Sequence, residues 1–543
     1  MQRRLAVGCL LAGSLITASC AARAQDPAVP AARGVPDGAV ISRIVILVDD
    51  VFDLDDPRED RALYRLANAL HRRTSEEAIR AQLLFATGEG FSARKLAETE
   101  RTLRANGYLA AAVVRPTAVH GGDVEIEVKV RDVWSLTPAV DFRRQGGRNK
   151  AAVSLEDPNF LGSGKGFKFE HGRDFDRTTT GLEVVDPNLF GSRWRLGLGY
   201  FDNSDGHSRE LAFGRPFFDF DTAWSAAFAF LADVREVPRY SLGHEVDRVT
   251  LERDSLRLEG GFSSGYENGW IRRWLFGVTR DDREFSAPAD GSALVGEAPV
   301  DRHFLYPWVG WELIEDEYAR TQNLNQIGRV EDLYLGSSVR VELGFSPARF
   351  GTPATTLFAA RARTSRCWDG DQRVLLLGAD GAGRWSAGGL DATLVNASAE
   401  FFQRNGERRL WYARLGGSFG KDLDVESQLL LGGDTGLRGY PLRFQGGTAS
   451  ALLTLEHRYF TDWYPLRLAR VGAAAFFDVG RTWGHDPVAG SNLGWLKDVG
   501  VGLRLGNARS SHGSVIHLDV AFPLDAPPDV DSVQFLIQTR KSF

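Results

Sequence analysis

From Trp134 to Phe543 the chain is written almost entirely in segments of about 8 to 14 residues that alternate in period two, and no convincing amphipathic helix interrupts them. Period two places successive side chains on opposite faces of a strand. In 498–506, Val499, Val501, Leu503 and Leu505 face one way, and Gly500, Gly502 and Arg504 the other. In 514–523, Ile516, Leu518, Val520 and Phe522 oppose Val515, His517, Asp519 and Ala521. In 470–483, Val471, Ala473, Ala475, Phe477 and Val479 oppose Gly472, Ala474, Phe476, Asp478 and Gly480. Gly, Asn, Asp and Pro separate the segments, as turns require.

A soluble sandwich alternates too, with its apolar face on a shared core. Here the pattern runs for some 400 residues, with 33 Phe, 13 Trp and 59 Gly in the chain. Many short strands, tight turns and aromatic girdles fit a membrane barrel better than a secreted sandwich or propeller. After residue 24 there is no apolar run long enough for a transmembrane helix.

The start of the chain reads as an export signal. Arg3 and Arg4 precede an apolar core from Leu5 to Ile16, and Ala22-Arg23-Ala24 is a small-x-small cleavage site, so 1–24 is expected to be removed. Lipidation at Cys20 is the alternative, with Thr17-Ala18-Ser19 a poor approach to it. Cys9 and Cys20 would leave with the signal, so Cys367 is expected to stand alone, a loop residue rather than a reactive thiol. The net charge of −6 gives no reason to expect nucleic acid.

Residues 25–40 are rich in Pro, Ala and Gly and read as a linker. From 41 to 131 the text is mixed α/β, expected to face the periplasm. Ile41 to Val48 is a strand. Thr74-Ser-Glu-Glu77 is a capping box, and Phe91 and Leu96 form a hydrophobic staple on a second helix ended by Asn106-Gly107. Leu109 to Val114 and Val124 to Val130 form a closing hairpin. The acidic run Asp49 to Asp56, with Glu59 and Asp60, lacks the spacing of a calcium loop and reads as solvated; no metal or other cofactor is expected.

Inside the barrel text, Asp157-Pro-Asn-Phe-Leu-Gly-Ser163 recurs as Asp186-Pro-Asn-Leu-Phe-Gly-Ser192, with a looser echo at Arg215 to Asp221. The spacing of 29 residues predicts short turns on one rim.

Two motifs carry a family resemblance. Gly432-Gly-Asp-Thr-Gly-Leu-Arg-Gly-Tyr-Pro441 contains Leu437-Arg438-Gly439-Tyr440, and Phe476-Phe-Asp-Val-Gly480 follows about forty residues on. With the module at 41–131 and a last strand that ends on Phe543, the sequence resembles the BamA/TamA outer-membrane assembly superfamily, cousins of the two-partner-secretion transporters. The resemblance implies a POTRA-like domain at 41–131 and a barrel at 132–543. It implies 16 strands, whereas the segments counted along the sequence run to about 20, the excess lying between 203 and 405. It also implies that a loop at about 422–447 folds into the lumen and locks Arg438 onto Asp478 and Gly480 of the Phe476 strand. From the residues alone, a lumen-facing carboxylate seeks a counter-charge, and Arg438 offers a planar fork. Glu456 is a second wall partner. Phe535, Ile537 and Phe543 share a face of the last strand as the insertion signal that the resemblance implies.

Three functions are open at this point. The first inserts or translocates polypeptides at the outer membrane through a loop-plugged barrel, with outer-membrane lipid, extended client polypeptides at the POTRA-like sheet edge and periplasmic proteins as partners. The second is a passive channel, which needs neither a folded module nor a lumen lock. The third is a barrel enzyme; His517 and Asp519 share a face, but no nucleophile context accompanies them, and no catalytic residue is assigned.

Overall fold

The computed structural model describes residues 35–540, except 121, 289, 351, 486–491 and 508–514. The export signal, most of the linker and Phe543 lie outside the described residues.

The N-terminal domain runs β1 (Val40–Asp49), α1 (Ala62–Leu70), α2 (Glu76–Arg80), α3 (Ala93–Ala105), β2 (Leu109–His120) and β3 (Asp123–Asp132). β3 is the central strand, parallel to β1 and antiparallel to β2. The alternation of Val124, Ile126, Val128 and Val130 buries all four against Ile79, Leu96 and Leu103 of the helices. Phe91 joins the same core, as a staple residue should. The capping box is corrected: Ser75 caps α2 by accepting from the Ala78 amide, and Thr74 turns away to donate to Asp132 Oδ1 at 2.7 Å. The sequence reading also lacked α1. The acidic run is not wholly solvated either, since Glu59 is buried and pairs with Arg467 at 3.0 Å.

The rest of the chain closes into one antiparallel barrel of twenty strands among the described residues, from β4 (Thr137–Gln145) to Gln534–Arg540. The 16 strands implied by the resemblance are overturned; the segment count was the better guide. Strands in the 203–405 stretch are long, up to 24 residues at His244–Glu267, and they sit in the wall. One hairpin there, Tyr318–Gln322 with Val330–Tyr334, does leave it.

The two faces of the wall differ in chemistry. Outside, Leu198, Phe262, Phe276, Val309, Leu343 and Leu415 are exposed in an apolar belt. Inside, Arg257 pairs with Glu259 and Glu342 at 3.0 Å, and Arg273 with Glu312 at 3.0 Å. Apolar outside and charged inside is the arrangement a membrane barrel needs.

The repeated turns all lie on the rim that carries the N-terminal domain. Asp157 Oδ1 accepts from the Asn159 amide, and Asn159 Nδ2 donates to Thr74 Oγ1 at 2.7 Å. Asn188, the matching residue, reaches the Ala81 carbonyl at 3.4 Å. In the third turn the Phe220 amide donates to Glu98 of α3 at 2.9 Å. The repeat is therefore a set of sockets for the domain. Arg101 adds an ion pair to Asp316 at 3.1 Å, and Arg104 one to Asp332 at 2.7 Å.

Gly162 and Gly191 occupy the same position of two such turns, at φ of 74° and 70°. A Cβ at Gly162 would meet the Arg73 carbonyl oxygen at 2.2 Å, while one at Gly191 would meet nothing within 4 Å. Both alanine variants carry the left-handed strain of about 1 kcal/mol, but only Gly162→Ala should loosen the domain. Limited proteolysis is expected to release the domain faster from Gly162→Ala than from Gly191→Ala.

Burial pushes the Glu98 carboxyl up to about 7 from its ordinary 4.5, against the pull of the Phe220 amide and Arg94. The docked state then holds the proton more tightly than the free one. Glu98 favours docking fully below pH 4.5 and loses that contribution as the pH rises through 7. Proteolytic release should therefore speed up across that window, and Glu98→Gln should flatten the dependence.

Candidate functional site

The long connection Asp422–Thr448 follows the strand Arg409–Lys421 at the rim away from the domain and turns into the lumen. Its acids hold it to the wall: Asp424 pairs with Arg384 at 2.6 Å and with Arg302 at 3.2 Å. Gln428 exchanges two hydrogen bonds with the Tyr240 backbone, at 2.7 and 2.9 Å. Leu437 and Tyr440 are fully buried with Leu431, Phe444, Leu452 and Leu496.

Arg438 lies at the centre of this packing, 2% exposed. It donates from Nε to Asp478 Oδ2 at 2.7 Å and from Nη2 to Asp478 Oδ1 at 2.9 Å, the bidentate fork of a guanidinium on a carboxylate. Its Nη1 donates to Glu456 Oε1 at 2.7 Å. The guanidinium stands over the Phe476 ring, 3.4 Å from the centroid. Glu456 belongs to the strand Ala449–Phe460, and Phe476 and Asp478 to Ala469–Trp483 beside it.

The flanking glycines allow the close approach. A Cβ on Gly439 would lie 2.7 Å from Asp498 Cβ, and one on Gly480 would lie 2.9 Å from Leu431 Cδ2. The Gly439 amide donates to Asp498 Oδ2 at 3.0 Å. Tyr440 Oη donates to the Lys497 carbonyl at 3.1 Å and accepts from the Lys497 amide at 3.2 Å.

The structure thus brings Leu437, Arg438, Gly439, Tyr440, Glu456, Phe476, Asp478 and Gly480 into one cluster. Phe535 and Ile537 lie elsewhere, on the outer face of the last strand, with Phe535 exposed. His517 and Asp519 face the lumen, both buried, and Asp519 accepts from Arg504. No cluster of three metal-ligating side chains occurs among the described residues.

Sequence reasoning missed two parts of the site. One is Asp498, which stands in register with Asp478 on the next strand. Two carboxylates side by side repel each other, and the loop answers one with a guanidinium and the other with an amide. The other is the hairpin at 318–334. Its tip enters the lumen from the domain side, where Leu324 and Ile327 are buried with Phe402, Leu410 and Phe460. Arg458 donates from Nε to Glu456 Oε2 at 3.0 Å and from Nη1 to the Leu324 carbonyl at 3.1 Å. Glu456 therefore lies between two arginines, one holding the far-side loop and one holding the domain-side hairpin. The hairpin itself is tied to α3 through Arg320 and Glu100, and through Asp332 and Arg104.

A polar cavity of about 510 Å³ lies between the two inserts, lined by Asn325, Arg438 and Glu456. Arg143 of β4 and Arg540 of the last strand complete its wall. Those two strands meet at the closing seam, where the described residues are in register at one pair, Ile537 opposite Arg144.

The protein is a transmembrane β-barrel, of twenty strands among the described residues. No family model matches the sequence, and no curated protein is similar to it. Among solved structures, it is similar to BamA from Haemophilus ducreyi lacking POTRA domains 1–3, at 12% identity and a TM-score of 0.40, over 92% of this chain and 85% of that one. It is similar to CdiB from Acinetobacter baumannii at 11% identity and a TM-score of 0.43, over 92% and 74%. It is also similar to the FrpB iron transporter from Neisseria meningitidis at 9% identity and a TM-score of 0.41, over 93% and 94%.

Removing one partner from a buried ionic cluster leaves the other charged and unpaired, at a cost of about 3–5 kcal/mol. Arg438→Ala and Asp478→Ala should each free the loop, so that amides at 436–440 exchange hydrogen faster. The double variant should fall short of the sum of the singles, because both break one interaction. Hydrogen exchange with mass spectrometry reads the loop directly.

Proposed function

We propose that this protein inserts or translocates polypeptides at the outer membrane, and that its lumen is held shut until a client engages it. The observation that carries the reading is the shared Glu456 carboxylate, on which both inserts converge through Arg438 and Arg458. A passive channel has no use for a lumen closed from both ends. The sequence resemblance to the BamA/TamA superfamily supplies the client class, and the Leu437 to Tyr440 and Phe476 to Gly480 motifs are the residues that carry it.

In this reading the N-terminal domain is POTRA-like and faces the periplasm. It offers the outer edge of β1 to an extended client. Along Ile44–Val48 that edge has no backbone partner among the described residues, and Leu47 there is exposed. The domain also holds the hairpin through α3, so a client that shifts α3 pulls on Leu324 and relaxes the hold on Glu456. The seam between the first and last strands, beside the cavity, is the way out toward lipid.

Two measurements test the reading. In planar bilayers, the full chain should give a small, unsteady conductance that rises in Arg438→Ala and in Asp478→Ala alike. A large, steady conductance unchanged by either substitution would favour the passive channel. In vesicles, the protein should speed the membrane insertion of an unfolded outer-membrane barrel polypeptide over protein-free vesicles; equal rates would sink the insertion reading.

A further inference from the structure

Helix α1 reads Ala-Leu-Tyr-Arg-Leu-Ala-Asn-Ala-Leu. One side is anchored. Tyr64 is buried with Val51 and Phe52, Ala67 and Trp134 pack beside them, and Tyr64 Oη donates to the Leu466 carbonyl of the barrel turn at 461–468, at 2.6 Å. Asn68 fastens the same side by exchanging hydrogen bonds with the Phe52 backbone. A second stripe, Leu63, Leu66 and Leu70, is 60%, 56% and 69% exposed. These positions, i, i+3 and i+7, form a continuous apolar line along the helix. Stability of the domain does not explain it, because its core is filled without them.

The stripe has apolar neighbours on both sides. Trp463 and Leu466 are exposed on the turn that Tyr64 grips. After α1 the chain passes directly to Thr74 and Ser75, which meet the turn at 158–165 through Asn159 and the Gly162 carbonyl. On that turn Phe160 and Leu161 are exposed. In strand order the two turns flank the closing seam of the barrel. The helix thus lies at the domain-side rim, with Tyr64 on the turn at 461–468 and beside Trp134, which leads into β4. Arg65 pairs with Asp60 at 3.2 Å and Arg73 with Asp50 at 3.4 Å.

We propose that α1 is an interfacial helix, with Leu63, Leu66 and Leu70 seated in the phospholipid leaflet on the domain side. The partner is a phospholipid bilayer surface. The exposed apolar side chains on the two adjoining barrel turns select lipid over another protein. The inference does not depend on the client reading; it needs only that the barrel is embedded.

The test uses the full chain with Cys9→Ser, Cys20→Ser and Cys367→Ser, carrying a single environment-sensitive fluorophore at Leu66→Cys. Leu63→Cys and Leu70→Cys are parallel variants, and Leu47→Cys on β1 is the aqueous control. The protein is reconstituted in vesicles of phosphatidylethanolamine and phosphatidylglycerol, with or without brominated acyl chains. The α1 probes should shift to the blue, lose most of their emission to brominated chains and resist aqueous iodide, while the Leu47 probe does the reverse. If the α1 probes behave like Leu47, the proposal fails. If they resist iodide but ignore bromine, a second copy or another protein segment covers the stripe, and the proposal fails in that way.

Discussion

Within hydrocarbon, a backbone amide or carbonyl has no water to bond with, so every strand of a membrane sheet must have a neighbour on both sides. Closure of the barrel follows from that requirement. Each interior strand is paired along most of its length, but the first and last strands must find each other across the whole chain. Their described residues meet in register at one pair, Ile537 with Arg144. The adjoining pair, Val515–Pro523 with Gln534–Arg540, is in register at seven. Among the described residues the seam has the shorter register of the two.

Closure also creates an interior, and a wide interior must be filled or left wet. Here it is filled with charge. Arginine and acid side chains from neighbouring strands form ladders, and two inserts enter from opposite ends to finish the work. The outer loop brings Arg438 to a pair of aspartates that would otherwise stand side by side. The inner hairpin brings the Leu324 carbonyl to Arg458, and apolar contacts seal its tip. Each insert packs apolar side chains on apolar patches of the wall and adds charged contacts beside them. Matching charges fix register and orientation as well as position.

Much of this was legible in the sequence. Period-two alternation placed the strands, and it placed Asp478 opposite Phe477 and Val479, which assigns it to the lumen. The Gly-flanked Arg438 advertised a close approach. The strand number was better read from the segments than from the resemblance, because long strands such as His244–Glu267 still alternate residue by residue. Other features were hidden for physical reasons. The hairpin at 318–334 falls inside the run of strand segments, and its partners on α3 and on the wall are distant in sequence. The Asp-Pro-Asn turns announced themselves as turns, but their partners in 72–83 are distant in sequence. Thr74 looked like a cap because its spacing to Glu77 suits one; a buried aspartate, Asp132, competed for its hydroxyl and won.

Glu456 is shared between two arginines, and the sharing has an electrical consequence. With both inserts seated, Arg438 and Arg458 balance Glu456 and Asp478 within this group. If the outer loop swings out, it carries Arg438 away and leaves two carboxylates facing one guanidinium, with Asp498 uncovered beside them. If the inner hairpin withdraws, no side-chain charge leaves this group, and the balance holds. Opening through the outer loop would therefore strip the Arg438 guanidinium from Asp478 and Glu456 and also release Arg302 and Arg384 from Asp424, whereas opening through the inner hairpin would leave those pairs in place.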